Sequence, residues 1–370
     1  MDIWRLKLAF LSPIRHNLAT HENSENLVVK VTTDGSRTGF GEGVPRAFVT
    51  GETLPESLAF LREVLAPAVM DRSLASPGAL LEALTASYEQ GAGKFPGAFC
   101  ALETALLDAG GKTWSRSVAD LIGPQVTESV VYSAIIPLAS TKQVIQFLDL
   151  VQVYRIRFIK LKVGTPGDLK VLRMAREKLG WEVDLRVDAN SAWEAAEAID
   201  RIREMQPYNI SAVEQPVPKE DFEGLKRVSD AVDIPVIADE SLCNEADARR
   251  LIALQACRIF NIRLSKCGGF TGAMRIRDLA AKAGILCQLG CHVGETSILA
   301  AAGRHFALCS PELVYVEGSL APFLLTRDPV AQTVVFDAGG VAHALPGPGL
   351  GVDVLEEVLD ELAVSRHTIG

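Results

Sequence analysis

The sequence predicts a β/α barrel preceded by a small α+β unit, and two patterns indicate this fold class. From about residue 130 onward, short β-branched runs alternate with helical stretches, as in parallel βα units closed into a barrel. Before that point strand-like segments come first and helical segments follow, which is typical of an α+β unit. The 370 residues are enough for a barrel of about 200–250 residues and a smaller unit.

The α+β unit is expected to span residues 1–125. Its first segments alternate apolar and polar residues like strands, and the helical stretches come after a glycine-rich GFGEG motif. The expected strands cover 2–10, 26–34 and 39–43, and the expected helices cover 54–69, 77–90 and 97–113.

The barrel is expected to span residues 126–325. The segment 326–370 is rich in loops and ends in an amphipathic stretch, 353–363, which is too short to be a domain and is expected to pack back onto the first unit. The eight expected barrel strands cover 130–135, 158–163, 183–188, 209–214, 234–239, 258–263, 285–290 and 313–318.

Composition excludes several classes of partner and location. The net charge of −9 argues against nucleic acid or an anionic membrane, because both require a basic face. No uncharged apolar run reaches the roughly 20 residues of a membrane helix, and the N-terminus lacks the apolar stretch of a signal peptide. The seven cysteines are odd in number and none form C-x-x-C pairs, so free thiols in a reducing, cytoplasmic compartment are expected.

A regular spacing of ionisable residues is the main functional signal. Each of six residues lies at or just past the end of an expected barrel strand, and successive members are 25 to 27 residues apart, about one βα unit. Active sites of β/α barrels form at the C-terminal ends of the strands. Polar strand ends that merely meet solvent would explain two or three members but not this order. We name this set the polar ladder: Lys162, Asp188, Glu214, Asp239, Lys266 and His292.

The three acids of the polar ladder predict a metal site. Asp188, Glu214 and Asp239 lie on neighbouring strands, where three carboxylates would repel one another. A hard divalent cation removes that repulsion, and all-oxygen ligands suit Mg²⁺, with Mn²⁺ as the alternative. A substrate carboxylate bound to the ion would be polarised by a Lewis acid.

The lysines of the polar ladder are candidate bases. Lys160 and Lys162 are two residues apart and point to the same face of their strand, so their charges are expected to lower each other's pKa. Lys266 is four strands from Lys162, which places it opposite in an eight-stranded barrel. Two bases on opposite faces of a substrate can remove a proton from one side and return it to the other.

These residues resemble the enolase superfamily, and within it the muconate-lactonizing enzyme subgroup, especially its dipeptide epimerase-like members. Members of this superfamily use a lysine or histidine base together with Mg²⁺. The resemblance covers nearly the whole chain. Its motifs are IKLKVG (159–164), VDANSAW (187–193), VEQPV (213–217), IADES (237–241) and NIRLSKCGG (261–269).

The resemblance implies a (β/α)₇β barrel with an α+β capping domain that the C-terminal segment completes. It also implies Asp188, Glu214 and Asp239 as metal ligands with Asn190 and Glu240 beside them. Lys162 and Lys266 would be the acid/base pair, and Lys160 would tune Lys162. The implied reaction is abstraction of the proton α to a carboxylate through a metal-stabilised enediolate, giving racemisation or epimerisation of an amino-acid derivative or dipeptide-like substrate.

The chain departs from the subgroup after the seventh and eighth strands. A glutamate in a G-x-x-x-E pattern is usual, whereas here GCHVGETS places Glu295 one residue later and His292 in the ladder position. Dipeptide epimerases carry Asp-x-Asp on the eighth strand, whereas this chain has Glu317 and Ser319. All four residues are candidate substrate contacts. With one carboxylate where two are expected, an amine-bearing substrate stays open, whereas a standard dipeptide is a doubtful substrate.

The capping loops normally set specificity, and candidates here are 15–24 and 43–53. Within them Arg46 and His16 could meet an anionic group of a small-molecule carboxylate. Family members are often dimers or octamers, so the resemblance also allows a homo-oligomer here.

Three other reactions remain open. Cycloisomerisation and β-elimination, as in muconate cycloisomerases and o-succinylbenzoate synthase, use the same metal and lysines and differ only in the substrate. A Schiff-base aldolase on the same barrel would use one strand lysine as a nucleophile, but the contiguous carboxylates argue against it.

Overall fold

The computed structural model describes the chain except residues 17, 18, 71, 73, 74, 92, 93 and 312, and the side chains of 15–20. The described residues form a four-stranded antiparallel sheet covered by helices and an eight-stranded parallel sheet. This confirms the predicted fold class. No helix in the described part of the chain is long and apolar enough to span a membrane.

The first unit, which we call the cap, begins with strands and continues with helices, as predicted. A Cβ atom at Gly41 would lie 2.1 Å from the carbonyl oxygen of Ala101, so the glycines of GFGEG let the longest helix lie directly on the sheet. The elements of the cap are β1 (Asp2–His16), β2 (Ala19–Thr32), β3 (Thr38–Gly43), α1 (Ala47–Thr50), α2 (Leu54–Phe60), a π-helical turn (Leu61–Leu65), α3 (Ala66–Val69), α4 (Pro77–Glu89), α5 (Pro96–Trp114) and α6 (Val118–Ile122).

The barrel follows in strict strand–helix alternation, with the strands paired in chain order. Its strands, after a short β4 (Ser129–Val131), are β5 (Ala134–Ile136), β6 (Phe158–Lys162), β7 (Asp184–Asp188), β8 (Ile210–Glu214), β9 (Val236–Ala238), β10 (Ile259–Ile262), β11 (Leu286–Leu289) and β12 (Leu313–Val316). Its helices are α7 (Thr141–Tyr154), α8 (Asp168–Leu179), α9 (Ala195–Met205), α10 (Phe222–Ala231), α11 (Glu245–Leu254), α12 (Leu264–Cys267), α13 (Gly269–Ala283), α14 (Ser297–Leu308) and α15 (Ala321–Leu324).

Two predicted segments differ from the structure. The expected strand 130–135 is split: β4 pairs outside the barrel with β13 (Val341–His343), and only β5 enters the barrel. A parallel bridge from Tyr132 to Val316 then joins the two ends of the sheet. Residues 15, 16 and 19–24 of the expected loop instead belong to strands β1 and β2, whose pairing resumes at Ile14 after an irregularity.

The C-terminal segment returns to the cap, as predicted. After α16 (Glu356–Leu362), the strand β14 (Ala363–Thr368) pairs with β1 and completes the sheet order β14-β1-β2-β3. The indole of Trp4 donates a hydrogen bond to Asp360 at 2.7 Å. Strand β14 was not predicted from the sequence, and the domain boundaries at residues 125 and 325 stay a prediction.

Buried glutamates join the cap to the barrel. Glu42 on β3 accepts hydrogen bonds from the backbone amides of Thr296 and Leu299, each at 3.0 Å, at the start of α14. Glu103 on α5 accepts one from the amide of Thr271 at 3.1 Å, at the start of α13. Carboxylates are favourable at helix N-termini, so these contacts fix the cap over the C-terminal ends of the barrel strands.

Candidate active site

The polar ladder lies where the strands end, as its spacing requires. Lys162, Asp188 and Glu214 are the last residues of β6, β7 and β8, and they are in register across the sheet. Asp239 directly follows β9. Lys266 comes after the next strand, β10, in the short helix α12, and is completely buried.

One end of the row of acids is held by Lys162. Its ammonium nitrogen lies 2.5 Å from Asp188 Oδ2 and 2.7 Å from Asn190 Oδ1. Asn190 has a positive φ of 42°, which lets its amide nitrogen donate to Asp188 while its side chain donates to Glu240 Oε1 at 3.0 Å. Burial alone would raise the pKa of Asp188, but the charges of Lys162 and Lys160 outweigh it and hold that pKa below its usual range.

The ammonium group of Lys160 is surrounded by three carboxylates. It lies 2.7 Å from Glu317, 3.0 Å from Glu214 and 3.3 Å from Asp188. Burial would lower the pKa of Lys160, but these anions raise it above the ordinary lysine value. The expectation of a lowered pKa at Lys160 is therefore wrong, because the nearby acids outweigh the second lysine. Lys160 is a fixed positive charge below the row of acids.

The opposite end of the row is held by Lys266. Its ammonium nitrogen donates to Asp239 Oδ1 at 2.8 Å, to Asp239 O at 2.6 Å and to Asn261 O at 2.9 Å. Burial lowers the pKa of Lys266 from its usual value. The two candidate bases thus contact the two outer acids, one at Asp188 and one at Asp239.

Two arginines at this site escaped the sequence analysis. Arg263 contacts Asp239 Oδ2 and lies 3.9 Å from Glu214 Oε1. Arg186 is completely buried, 2.5 Å from Glu317 Oε1, with its guanidinium 4.2 Å from the ring centroid of Tyr315. A signal for Arg186 was present, because it is two residues before Asp188 in an apolar strand and must share its inward face.

The donor set fits a hard divalent cation by its chemistry. Asp188, Glu214 and Asp239 are fully buried, and their present partners are all cations or amides. Three buried acceptor oxygens nearby have no hydrogen-bond partner among the described residues: Glu240 Oε2, Asn261 Oδ1 and Gln288 Oε1. In the described part of the chain no three His, Cys, Asp or Glu side chains are already grouped as a metal cluster. Lys160 instead contacts both Asp188 and Glu214, and Arg263 lies beside both Glu214 and Asp239.

A cavity of about 1040 Å³ opens beside the ladder. Lys160, Lys162, Asn190, Glu240 and His292 line one end of it. The β1–β2 hairpin and α1 cover it from the cap side, where the rings of His21 and Phe48 stack at 6.0 Å. Substrate-sized pockets commonly have volumes of about 300–1,000 Å³, so this cavity can hold a small molecule.

His292 and Glu295 form one unit in the loop after β11. The backbone amide of His292 donates to Glu295 Oε1 at 2.6 Å, and the ring nitrogen Nδ1 lies 3.6 Å from the same oxygen. Burial, together with Arg263 and Arg46, lowers the pKa of His292 well below its usual value. Burial raises the pKa of Glu295 to about 8. His292 lines the cavity, whereas Glu295 does not.

The remaining candidate substrate contacts differ in position: Glu317 and Arg46 line the cavity, whereas Ser319 is not among its lining residues. Glu317 lines the cavity but is paired with Lys160 and Arg186, and the hydroxyl of Ser319 accepts a hydrogen bond from Arg304 at 3.1 Å. Arg46 lines the cavity and donates to Ser24 Oγ at 2.6 Å and to Val293 O at 3.2 Å. The side chain of His16 lies outside the described residues.

An eight-stranded parallel barrel under an α+β cap, with acids and lysines at its strand ends, is the architecture of the enolase superfamily. The family model for the mandelate racemase / muconate lactonizing enzyme N-terminal domain matches residues 4–123. The model for enolase C-terminal domain-like proteins matches residues 144–358. The chain therefore belongs to the mandelate racemase / muconate lactonizing enzyme group of the enolase superfamily, as its motifs predicted.

Its relatives are isomerases, and so is this chain. It is 28% identical to an N-succinyl-L-Arg/Lys racemase of Bacillus cereus over 100% of this chain and 98% of the relative. The crystal structure of that racemase matches with a TM-score of 0.91 over the same shares of the two chains. A hydrophobic dipeptide epimerase of Enterococcus faecalis is 30% identical over 90% of this chain and 93% of its own length. A muconate lactonizing enzyme from Pseudomonas fluorescens is 25% identical, with a TM-score of 0.90 and 98% of both chains covered.

Proposed function

We propose that this protein is a Mg²⁺-dependent racemase or epimerase that abstracts the proton α to the carboxylate of an amino-acid derivative. The observation that carries the proposal is the placement of Lys162 and Lys266 at the two ends of the row Asp188, Glu214 and Asp239. The named relatives include racemases and epimerases, and solved dipeptide epimerases contain Mg and a dipeptide.

Asp188, Glu214 and Asp239 would hold the ion, with Asn190 and Glu240 beside them. When bound, Mg²⁺ would act as a Lewis acid toward a substrate carboxylate and so acidify its α-proton. The Lys162 contact of Asp188 and the Arg263 contact of Asp239 would give way to the ion. Each released cation would then face the substrate rather than an acid.

The two lysines would share the proton transfer. Lys162 borders the cavity through its partly exposed ammonium group and would act on one face of the α-carbon. Lys266 would act on the other face, where burial favours its neutral, basic form. Lys160 would stay protonated among Glu214, Glu317 and Asp188, and its positive charge would favour the negative charge that develops when the proton leaves.

Deuterium exchange tests the two-base mechanism. Incubating each enantiomer of an N-acylated amino acid with the enzyme and Mg²⁺ in D₂O should place deuterium at the α-carbon of both enantiomers. Lys162→Ala and Lys266→Ala should each abolish racemisation but leave exchange in one enantiomer, a different one for each variant. Lys226→Ala, which removes a surface lysine paired with Asp230, is the matched control and should behave like the wild type. Exchange of both enantiomers in either active-site variant would contradict the assignment.

Cycloisomerisation is the second candidate, because muconate lactonizing enzymes match the fold with TM-scores of 0.89 and 0.90. That reaction needs proton transfer on one face only. Loss of muconate absorbance on incubation with the enzyme, without deuterium in any amino-acid derivative, would favour it over racemisation.

A further inference from the structure

Part of the cavity is lined by aromatic rings. Four rings from different parts of the chain contribute, and three of them pack on one another: Tyr154 meets Phe323 at 5.8 Å and 87°, and Phe323 stacks on Phe336 at 5.9 Å and 26°. We call these the aromatic wall: Phe147 and Tyr154 of α7, Phe323 of α15, and Phe336. The side chain of Phe323 is 38% exposed, so part of this apolar surface is open to a ligand.

Negative charge is scarce where a substrate would extend toward this wall. Among the described residues that line the cavity, the acids are Glu240 and Glu317. Glu240 lies beside the metal-binding acids and accepts from Asn190. Glu317 lies 2.7 Å from Lys160 and 2.5 Å from Arg186, so two buried cations already neutralise it. A substrate ammonium or a basic side chain would therefore lose its hydration without gaining a free carboxylate.

His292 supplies a neutral polar contact in the cavity. It is buried and lines the cavity, and neither ring nitrogen has a hydrogen-bond partner within the described chain. Burial, together with the charges of Arg263 and Arg46, lowers the pKa of His292 well below its usual value, which favours the neutral imidazole. A neutral imidazole offers one donor and one acceptor, which is the complement of an amide group. A buried polar side chain without a partner is costly, so a ligand amide would relieve that cost.

We propose that the substrate is an N-acylated amino acid that carries no ammonium group, with its amide bound by His292 and a large apolar substituent packed against the aromatic wall. The inference rests on the proposed racemase function and sets its substrate class. It differs from what the name of the Bacillus cereus relative says of that protein, whose substrates have basic side chains. Here the wall that receives the substituent is uncharged.

A substrate panel tests the charge preference. The rate of α-deuterium incorporation is measured for N-acetylphenylalanine, N-acetylleucine, N-acetyllysine and N-acetylglutamate, and for alanylphenylalanine with and without an N-acetyl group. The uncharged members should exceed the charged ones in kcat/KM by about 10-fold or more, the usual discrimination of an apolar pocket. Faster exchange of the lysine compound, or of the peptide with a free ammonium, would overturn this inference and leave the racemase function standing. No exchange with any member would overturn both.

Variants locate the two contacts. Phe323→Ala should lower kcat/KM for N-acetylphenylalanine about 10-fold and leave N-acetylalanine nearly unchanged. Val153→Ala is the control: it removes an apolar side chain from α7, next to Tyr154 of the aromatic wall, but that side chain is 73% exposed to solvent. His292→Leu should raise KM about 10-fold with kcat less affected, and His292→Gln, which keeps a donor and an acceptor, should restore part of the loss. Equal effects of Phe323→Ala on both substrates, or no rescue by glutamine, would refute the assigned contacts.

Discussion

The buried glutamates between cap and barrel yield a prediction that can be worked through in numbers. Glu42 is completely buried, and its carboxylate accepts from the amides of Thr296 and Leu299. Replacing it with alanine leaves both amides at the start of α14 without that acceptor. Each buried donor left unpaired costs about 1–3 kcal/mol, so Glu42→Ala should lower the free energy of unfolding by about 2–6 kcal/mol.

The size of this loss should depend on pH. Burial raises the pKa of Glu42 from 4.5 to about 7, so the folded state binds the proton more tightly than the unfolded state. Its contribution to stability is therefore present at low pH and is lost as the pH rises through 7. Between pH 5.5 and 8.5 the wild type should lose about 2 kcal/mol through this group, and the alanine variant should not. The difference in the free energy of unfolding between the wild type and Glu42→Ala should therefore be about 2 kcal/mol smaller at pH 8.5 than at pH 5.5.

Urea unfolding of both proteins at pH 5.5 and 8.5 measures the effect. Other buried acids, such as Glu103, titrate in both proteins and cancel in the difference. The control is Glu25→Ala on the neighbouring strand β2. This variant loses only a half-exposed ion pair with Arg5, which should be worth at most about 1 kcal/mol. A loss for Glu42→Ala no larger than the control, or one that grows with pH, would refute the reasoning.

Three further predictions concern pH, charge and metal. Burial lowers the pKa of His305 from 6.5 to about 4, so the wild type should lose about 2 kcal/mol between pH 7.5 and 5 by urea unfolding, and His305→Asn should lose that slope. Glu317→Gln removes the anion between Lys160 and Arg186, and the buried cations left behind should cost about 3–5 kcal/mol, seen as a lower Tm; an unchanged Tm would contradict this. EDTA should abolish deuterium exchange and Mg²⁺ restore it, while calorimetry should show weaker Mg²⁺ binding to Asp239→Asn.

The barrel and the row of acids were predictable because both follow from a repeat. One βα unit takes about 26 residues here, so residues at equal steps arrive at the same level of the barrel, and the register of Asp188 with Glu214 follows from that spacing. The charges that surround those acids do not repeat. Arg263 lies three residues before Lys266 and is not part of the repeat, so only the structure shows that it contacts Asp239.

Long-range contacts also escaped the sequence. Tyr132 and Ser133 interrupt a run that alternates like one strand, since the amide of Ser133 donates to Val316 O at 2.8 Å while Tyr132 donates to Gly340 O. Those partners lie some 200 residues away along the chain, and local periodicity carries no information about them. The same is true of the pKa of Lys160. Burial lowers this pKa, but Glu214 and Glu317, which are distant in the sequence, raise it above the ordinary lysine value.

The pairing of β14 with β1 has a consequence for how the protein is made. The amide of Ile369, just after β14, donates to Met1 O at 2.8 Å, so two segments far apart along the chain are hydrogen-bonded neighbours. A ribosome delivers β1 long before β14. Until β14 is made, one side of β1 is an open strand edge, which is the kind of surface that pairs with other chains. Deleting β14 would leave that edge open permanently.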